Sequence, residues 1–131
     1  MRWDAQPRMP LSEYQEFLAP APLADRFKCF WTQTIFGSRG TYEHRVLPDA
    51  CLDIVLINDA PPMLVGPWDV AFVARLAVGT NITGARLHPG RASCLLGIPA
   101  SELRNQTIPI LDVKGAVQSM RIEEVYEQPN A

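Results

Sequence analysis

The chain of 131 residues is poor in cysteine and histidine, and this scarcity excludes most protein metal sites. Cys29, Cys51 and Cys94 are widely spaced and include no C-x-x-C pair, so neither a zinc finger nor a disulfide framework is expected. We expect three buried, reduced thiols. The two histidines, His44 and His88, form no H-x-H pair. No metal and no cofactor is therefore expected.

Long apolar runs, basic clusters and nucleotide motifs are also missing. No apolar stretch approaches the roughly 18 residues of a membrane helix, and the first ten residues lack the apolar core of a signal peptide. The net charge is −2, with lysine and arginine scattered singly, whereas nucleic-acid binding needs a clustered basic face. No P-loop, G-x-G-x-x-G or G-x-S-x-G occurs. We expect a cytoplasmic protein without a membrane or nucleic-acid partner.

What the sequence does contain is typical of one globular β-rich domain, residues 1–131. Apolar residues make up 47% and charged residues 20% of the chain. Ser12 as an N-cap and apolar residues at helical spacing predict a short helix or turn over 11–20. Short runs rich in β-branched and aromatic residues, separated by glycine and proline turns, then predict strands. These strands are 26–36, 43–47, 52–58, 63–66, 70–78 and 82–88.

The last third of the chain has helical patterns. Pro89 stands near a helix start, Gly97 where a C-terminal cap belongs, and Pro99 where a second helix begins. After Pro109, apolar residues at steps of three and four form one stripe, which packs on the β-unit or contributes to a dimer: Ile110, Val113, Val117 and Met120. The predicted class is mainly β with C-terminal helices (α+β), a β-unit over 26–88 and a helical part over 89–127.

Six motifs follow one another in a familiar order. They are YQEFLAPAPLADRFKCFWT, HRVLPDACLDIVLI, VGP, GARLHPG, LLGIPASEL and TIPILDVKG. Together they resemble the N-terminal sensor domain of a group of AraC-type transcription regulators. That group has an aromatic-Trp strand, R-V-L-P-D-G-x-x-D-L, V-G-P, G-x-R-F-x-P-G, L-G-V-P-A-x-E-L and P-L-x-D-L-x-G. The resemblance covers the chain from about Tyr14 to Gly115.

The resemblance implies a cupin-like β-sandwich or barrel followed by two or three short helices. It further implies binding of a small-molecule effector and a homodimer formed through the C-terminal helices. Ala50 departs from the family glycine, so that turn is made without a residue free to adopt positive φ. Family members carry a helix-turn-helix half after this domain, and these 131 residues contain none. The chain is either the sensor half of a longer regulator or a free-standing relative, and DNA binding is not expected of it.

Asp53, inside the apolar run of 52–57, is the first candidate site residue. An unpaired charge in such a strand is costly, so we expect Asp53 to pair with an arginine. Arg86 is the first choice, because this acid and the G-x-R arginine both belong to the family pattern. Arg45 and Arg75 are the next choices. For the role of Asp53, we prefer a structural ion pair to contact with a ligand, and we prefer either of these to catalysis.

The remaining ligand candidates are Arg75 and Trp68, alongside Arg86, Asp53 and Arg45. In the strand 70–78, Arg75 shares one face with small residues. This face either borders a hollow that suits an anionic or hydroxylated ligand, or it faces solvent. The opposite face of this strand is predicted to be core. Trp68 follows a Gly-Pro turn and either closes a pocket or lies on the surface.

Two other classes of function compete with a non-catalytic sensor domain. A small cupin-like metal enzyme would use His44, His88 and Asp53, and a Cys51–His44 nucleophile pair is a weaker idea. A free-standing protein-interaction module would leave the helical stripe exposed. We predict no catalytic residue and no metal ligand.

Overall fold

A computed structural model describes residues 9–110, apart from the side chains at positions 92, 94, 95 and 100. The chain is mainly β, and its strands are antiparallel. The strands are β1 Leu11–Leu18, β2 Phe27–Phe36, β3 Thr41–Val46, β4 Asp53–Ile57, β5 Met63–Val65, β6 Phe72–Ala77, β7 Asn81–Leu87 and β8 Thr107–Pro109. The helices are a 3-10 turn at Ala21–Leu23, α1 Arg91–Leu96 and α2 Ala100–Leu103.

The strands form two sheets. The larger has six strands in the order β1-β2-β7-β4-β5-β8, and the smaller consists of β3 and β6. β4 pairs with β7 on one side and with β5 on the other, so the strand that carries Asp53 is central, as its two apolar faces predict. All six strands predicted between residues 26 and 88 are confirmed within a few positions at their ends.

The short helix or turn predicted over 11–20 is wrong, because this segment is edge strand β1. All eight of its residues pair with β2, from Leu11 opposite Phe36 to Leu18 opposite Cys29. The helical spacing of its apolar residues is a weak local preference, and a complete ladder of backbone pairs outweighs it.

The predicted helical part, 89–127, is only partly described. α1 ends at Gly97, whose φ of 69° confirms the expected glycine cap. β8 lies where the sequence predicts a helix to begin, and it extends the large sheet by pairing with β5. Ile110 is fully buried in the core. The rest of the predicted apolar stripe lies outside the described residues.

The large sheet buries a core on each face. On one face Leu23, Leu96 and Leu103 cover the sheet from the 3-10 turn, α1 and α2. A register shift between Phe27 and Cys29 places both Phe27 and Phe30 in this core, although their spacing is odd. The other face carries a smaller cluster that the small sheet covers: Cys29, Trp31, Val55 and Ile82, with Val65 and Leu76 packed against it.

The sequence predicts neither a membrane span nor a disulfide framework. No helix within the described part of the chain is long and apolar enough to cross a bilayer. Cys29 is a buried free thiol, and Cys51 is a free thiol that is only half-buried. The side chain of Cys94 lies outside the described set.

Candidate functional site

A cavity of about 650 Å³ lies between the two sheets. Its floor is the second face of the large sheet, and its roof is formed by inward-facing residues of β3 and β6. Most of the walls are apolar: Val55, Val65, Leu76, Ile82, Phe72 and Trp68. Small-molecule sites in proteins have this volume range and this mixture of apolar walls with a few convergent polar groups.

A network of polar side chains forms one end of the cavity floor. Asp53 and Arg86 are directly opposed across β4 and β7. Arg86 donates from Nε to Asp53 Oδ1 at 3.2 Å and from Nη2 to Asp53 Oδ2 at 3.4 Å. Trp31 donates from Nε1 to Asp53 Oδ2 at 3.0 Å. The predicted Asp53–Arg86 pair is thus present, and it is bidentate.

The edge strand completes this network from the side. Glu16 of β1 accepts a bond from Arg86 Nη1 at 3.4 Å and from the Tyr14 hydroxyl at 2.6 Å. The ring of Tyr14 lies 5.7 Å from that of Trp31. Two carboxylates therefore share one guanidinium, and the network of Asp53, Glu16, Arg86, Trp31 and Tyr14 has a net negative charge.

A glycine allows Trp31 to lie across the sheet. Trp31 and Gly84 are directly paired across β2 and β7. A Cβ at position 84 would stand 2.0 to 2.4 Å from three atoms of the indole, including Nε1. Only a residue without a side chain leaves room for the ring that donates to Asp53.

Burial and the pairing of charges together set the pKa values of this network. Burial raises the pKa of the Asp53 carboxyl above its usual value, although the charge and hydrogen bonds of Arg86 and the Trp31 N–H act to lower it. For Arg86, burial lowers the pKa, but the charge and hydrogen bonds of Asp53 outweigh burial and raise it. Burial therefore outweighs the pairing at Asp53, the more deeply buried partner, whereas the pairing outweighs burial at Arg86. Burial and the bond to Glu16 also raise the pKa of Tyr14.

Four of the five predicted ligand residues line the cavity: Asp53, Arg86, Arg45 and Trp68. Trp68 packs edge-on against Phe72, with ring centroids 4.8 Å apart. Arg45 is exposed and contributes to the lining, as does the exposed Asp49.

Arg75 is not brought to the cavity. It lies on the outer face of the small sheet and pairs with Glu43 at 3.6 Å, with 73% and 65% of the two side chains exposed. The face predicted as core, which includes Ala74 and Leu76, is the one that lines the cavity. No described residue covers the outer face of the small sheet, so the side chain of Arg75 faces solvent.

The residues of the competing metal-enzyme hypothesis do not converge. His44 lines the cavity, but His88 lies elsewhere, with Nε2 2.7 Å from the backbone oxygen of Ala24. Among the side chains that the structure describes, no group of three histidine, cysteine or acidic residues could hold a metal ion. Burial raises the pKa of the Cys51 thiol, the opposite of what activates a nucleophilic cysteine.

Sequence reasoning missed two residues of the network, Tyr14 and Glu16, and also Gly84, which makes room for the Trp31 ring. Tyr14 and Glu16 fall in the segment that was predicted to be helical, 70 positions or more from Arg86. Gly84 interrupts a strand pattern, a known signal of close approach by another group, and this signal was open to sequence analysis.

Comparisons with known proteins place these residues in a family. Residues 15–109 match the model of a family described as "Domain of unknown function (DUF6597)". This range contains both sheets except the start of β1, and every network residue except Tyr14. No match was found among curated proteins, and none was found among solved structures.

Proposed function

The chain belongs to this DUF6597 family, and we propose that it is a non-catalytic small-molecule-binding domain. The observation that carries the proposal is the cavity of about 650 Å³ between the two sheets, with its apolar walls and one embedded polar network. No metal-ligand group occurs in the described residues, so binding is the function that this site supports best.

The resemblance to AraC-type sensor domains extends this proposal. In that case the two sheets are the described part of a cupin-like sandwich, followed by helices that contribute to a homodimer. The ligand is then an effector, and its binding shifts the population of the docked helical part. A regulator's DNA-binding half would respond to this shift.

A set of hydrogen bonds supports a connection between the cavity and the helical part. Asn105, at the turn after α2, donates its backbone N–H to Pro67 O at 2.7 Å and its side-chain amide to Asp69 Oδ1 at 2.6 Å. The Asp69 N–H donates to Asn105 Oδ1 at 2.9 Å. Trp68 lies between these two partners and lines the cavity. A ligand that displaces Trp68 would therefore also displace Pro67 and Asp69, the hydrogen-bond partners of Asn105 at the end of α2.

A thermal-shift screen of small molecules tests the binding function, with two matched variants. Ala74 and Ala77 belong to the same strand, but Ala74 lines the cavity and Ala77 is exposed on the other face. We expect Ala74→Phe to fill the cavity and abolish stabilisation by compounds. Ala77→Phe is expected to retain it. A ligand at about 100 times its Kd stabilises by about 2.7 kcal/mol, well within detection. Compounds that stabilise Ala74→Phe as strongly as wild type, or a screen without any stabilising compound, would contradict the proposal.

The connection through Asn105 is tested by hydrogen exchange. Asn105 has a φ of 59°, which glycine adopts freely, so Asn105→Gly removes the side-chain bonds without straining the turn. The Gly66 N–H donates to Gln106 O at 3.0 Å, next to the Asn105 turn. In wild type we expect a stabilising compound to slow exchange at the amides of Asn105 and Gly66. In Asn105→Gly the same compound should still raise Tm, but its effect on these amides should be lost. If the compound protected these amides from exchange equally well in the variant, the side chain of Asn105 would not connect the cavity with α2.

A further inference from the structure

The polar network also indicates what kind of ligand the cavity accepts, an inference that rests on the proposed binding function. Arg86 is the only cation on the cavity floor among the described residues. All three nitrogens of its guanidinium already lie within 3.4 Å of carboxylate oxygens of Asp53 or Glu16. The positive charge of Arg86 is therefore already offset by two carboxylates, and an anionic ligand would have to share the guanidinium with both of them.

The surrounding charges also oppose an anion. Asp53 and Glu16 together exceed the single charge of Arg86. Two exposed residues of the lining, Arg45 and Asp49, carry opposite charges and add no net charge to it. An anionic ligand would add a third negative charge beside two carboxylates that share one guanidinium. The repulsion would be strongest from Asp53, whose side chain is only 15% exposed, because charges interact more strongly there than in water.

The network does offer an acceptor. Asp53 Oδ2 accepts bonds from both Arg86 and Trp31, whereas Oδ1 accepts one from Arg86 in the part of the chain described. A carboxylate oxygen has room for two hydrogen bonds, so Oδ1 can accept another. Because Asp53 lines the cavity, a ligand hydroxyl is a suitable donor.

The cavity walls indicate the chemical character of the rest of the ligand. Val55, Val65 and Ile82 lie near the network on the cavity floor, Leu76 stands in the roof, and the packed rings of Trp68 and Phe72 form another part of the lining. Such surfaces favour an apolar, ring-containing body. We propose that the cavity binds an uncharged ligand with an apolar, ring-containing body and a hydroxyl group that donates a hydrogen bond to Asp53.

Two series of matched probes test this proposal on the full chain at neutral pH. One series is 4-phenylphenol, 4-methoxybiphenyl and biphenyl-4-carboxylate, and the other is 2-naphthol, 2-methoxynaphthalene and 2-naphthoate. Within each series the body is constant while the polar group is a donor, a capped oxygen or an anion. We expect each phenol to bind about 10-fold more tightly than its methyl ether, since a bond to a charged acceptor is a strong one. The carboxylates should bind more weakly still. Quenching of tryptophan fluorescence measures affinity, because Trp31 and Trp68 line the cavity.

The possible outcomes separate this inference from the function on which it rests. Carboxylates that bind more tightly than phenols, with binding lost in Ala74→Phe, would overturn the ligand class and leave the binding function intact. Equal affinity of phenols and methyl ethers would overturn the role of the donor. If no probe of either series binds, or if Ala74→Phe binds them like wild type, the cavity function fails and the inference fails with it. In Asp53→Asn, checked for folding by circular dichroism, the preference for phenols should fall at least several-fold.

Discussion

Replacing Arg86 by methionine is expected to destabilise the protein by about 3 kcal/mol at neutral pH. The substitution keeps much of the apolar stem but leaves Asp53, whose side chain is only 15% exposed, without its ionic partner. An uncompensated carboxylate at such a site is costly because no solvent replaces the guanidinium. Urea unfolding should show the loss directly, and Tm should fall by about 10 °C.

The loss should also depend on pH with a definite sign. In the variant, burial still raises the pKa of Asp53, while the guanidinium that lowers it is gone. A carboxyl whose folded-state pKa lies above its unfolded value favours folding at low pH, and this contribution disappears as pH rises through the folded-state value. We therefore expect the difference from wild type to be smallest below about pH 4 and largest near neutrality.

Two controls identify the cause. Arg75→Met removes the exposed pair with Glu43 and should change stability by less than about 0.5 kcal/mol. Arg86→Met combined with Asp53→Asn removes both charges, and it should recover most of the loss and abolish the pH dependence. A single Arg86→Met variant that is as stable as Arg75→Met at neutral pH would show that the pair is not needed for folding.

Gly84→Ala is expected to destabilise the protein by about 3 kcal/mol, although alanine is ordinarily the better residue in a strand. The added methyl group would lie within 2.4 Å of the Trp31 indole. Overpacking of this kind costs about 1–3 kcal/mol, and displacement of the ring also removes its bond to Asp53, which adds roughly 1 kcal/mol. Thermal unfolding measures the loss, and tryptophan fluorescence should report a changed environment of Trp31.

A second variant at position 31 separates the clash from any backbone effect. In a Trp31→Leu background the bulky ring is absent, so Gly84→Ala should cost little or should stabilise the strand. The difference between the two backgrounds is the coupling energy of the pair. An equal loss in both backgrounds would place the cause in β7 itself and would remove the steric argument for Gly84.

Much of the fold was predictable from local sequence, and the reasons are visible in particular elements. The strands from 27 to 87 are short, rich in β-branched and aromatic residues, and bounded by glycine or proline, so their local preferences agree with the structure. The segment 11–20 has no such agreement. Its apolar spacing favours a helix, and only the neighbouring strand β2 makes it extended. The Asp53–Arg86 pair was predictable because a charge between apolar neighbours in a central strand needs a partner.

The sequence by itself determined the β-rich class, the central position of β4 and the need of Asp53 for an arginine. The sequence also predicted the inward face of 70–78, but only the tertiary structure decided between a hollow and solvent for the other face, and thus that Arg75 is outside the cavity. The tertiary structure also brought Glu16 to Arg86 across a separation of 70 positions and laid Trp31 over Gly84. The physical reason is that alternation, turns and burial preferences act between neighbours in the chain. The pairing of strands distant in sequence, by contrast, depends on how all of them pack together.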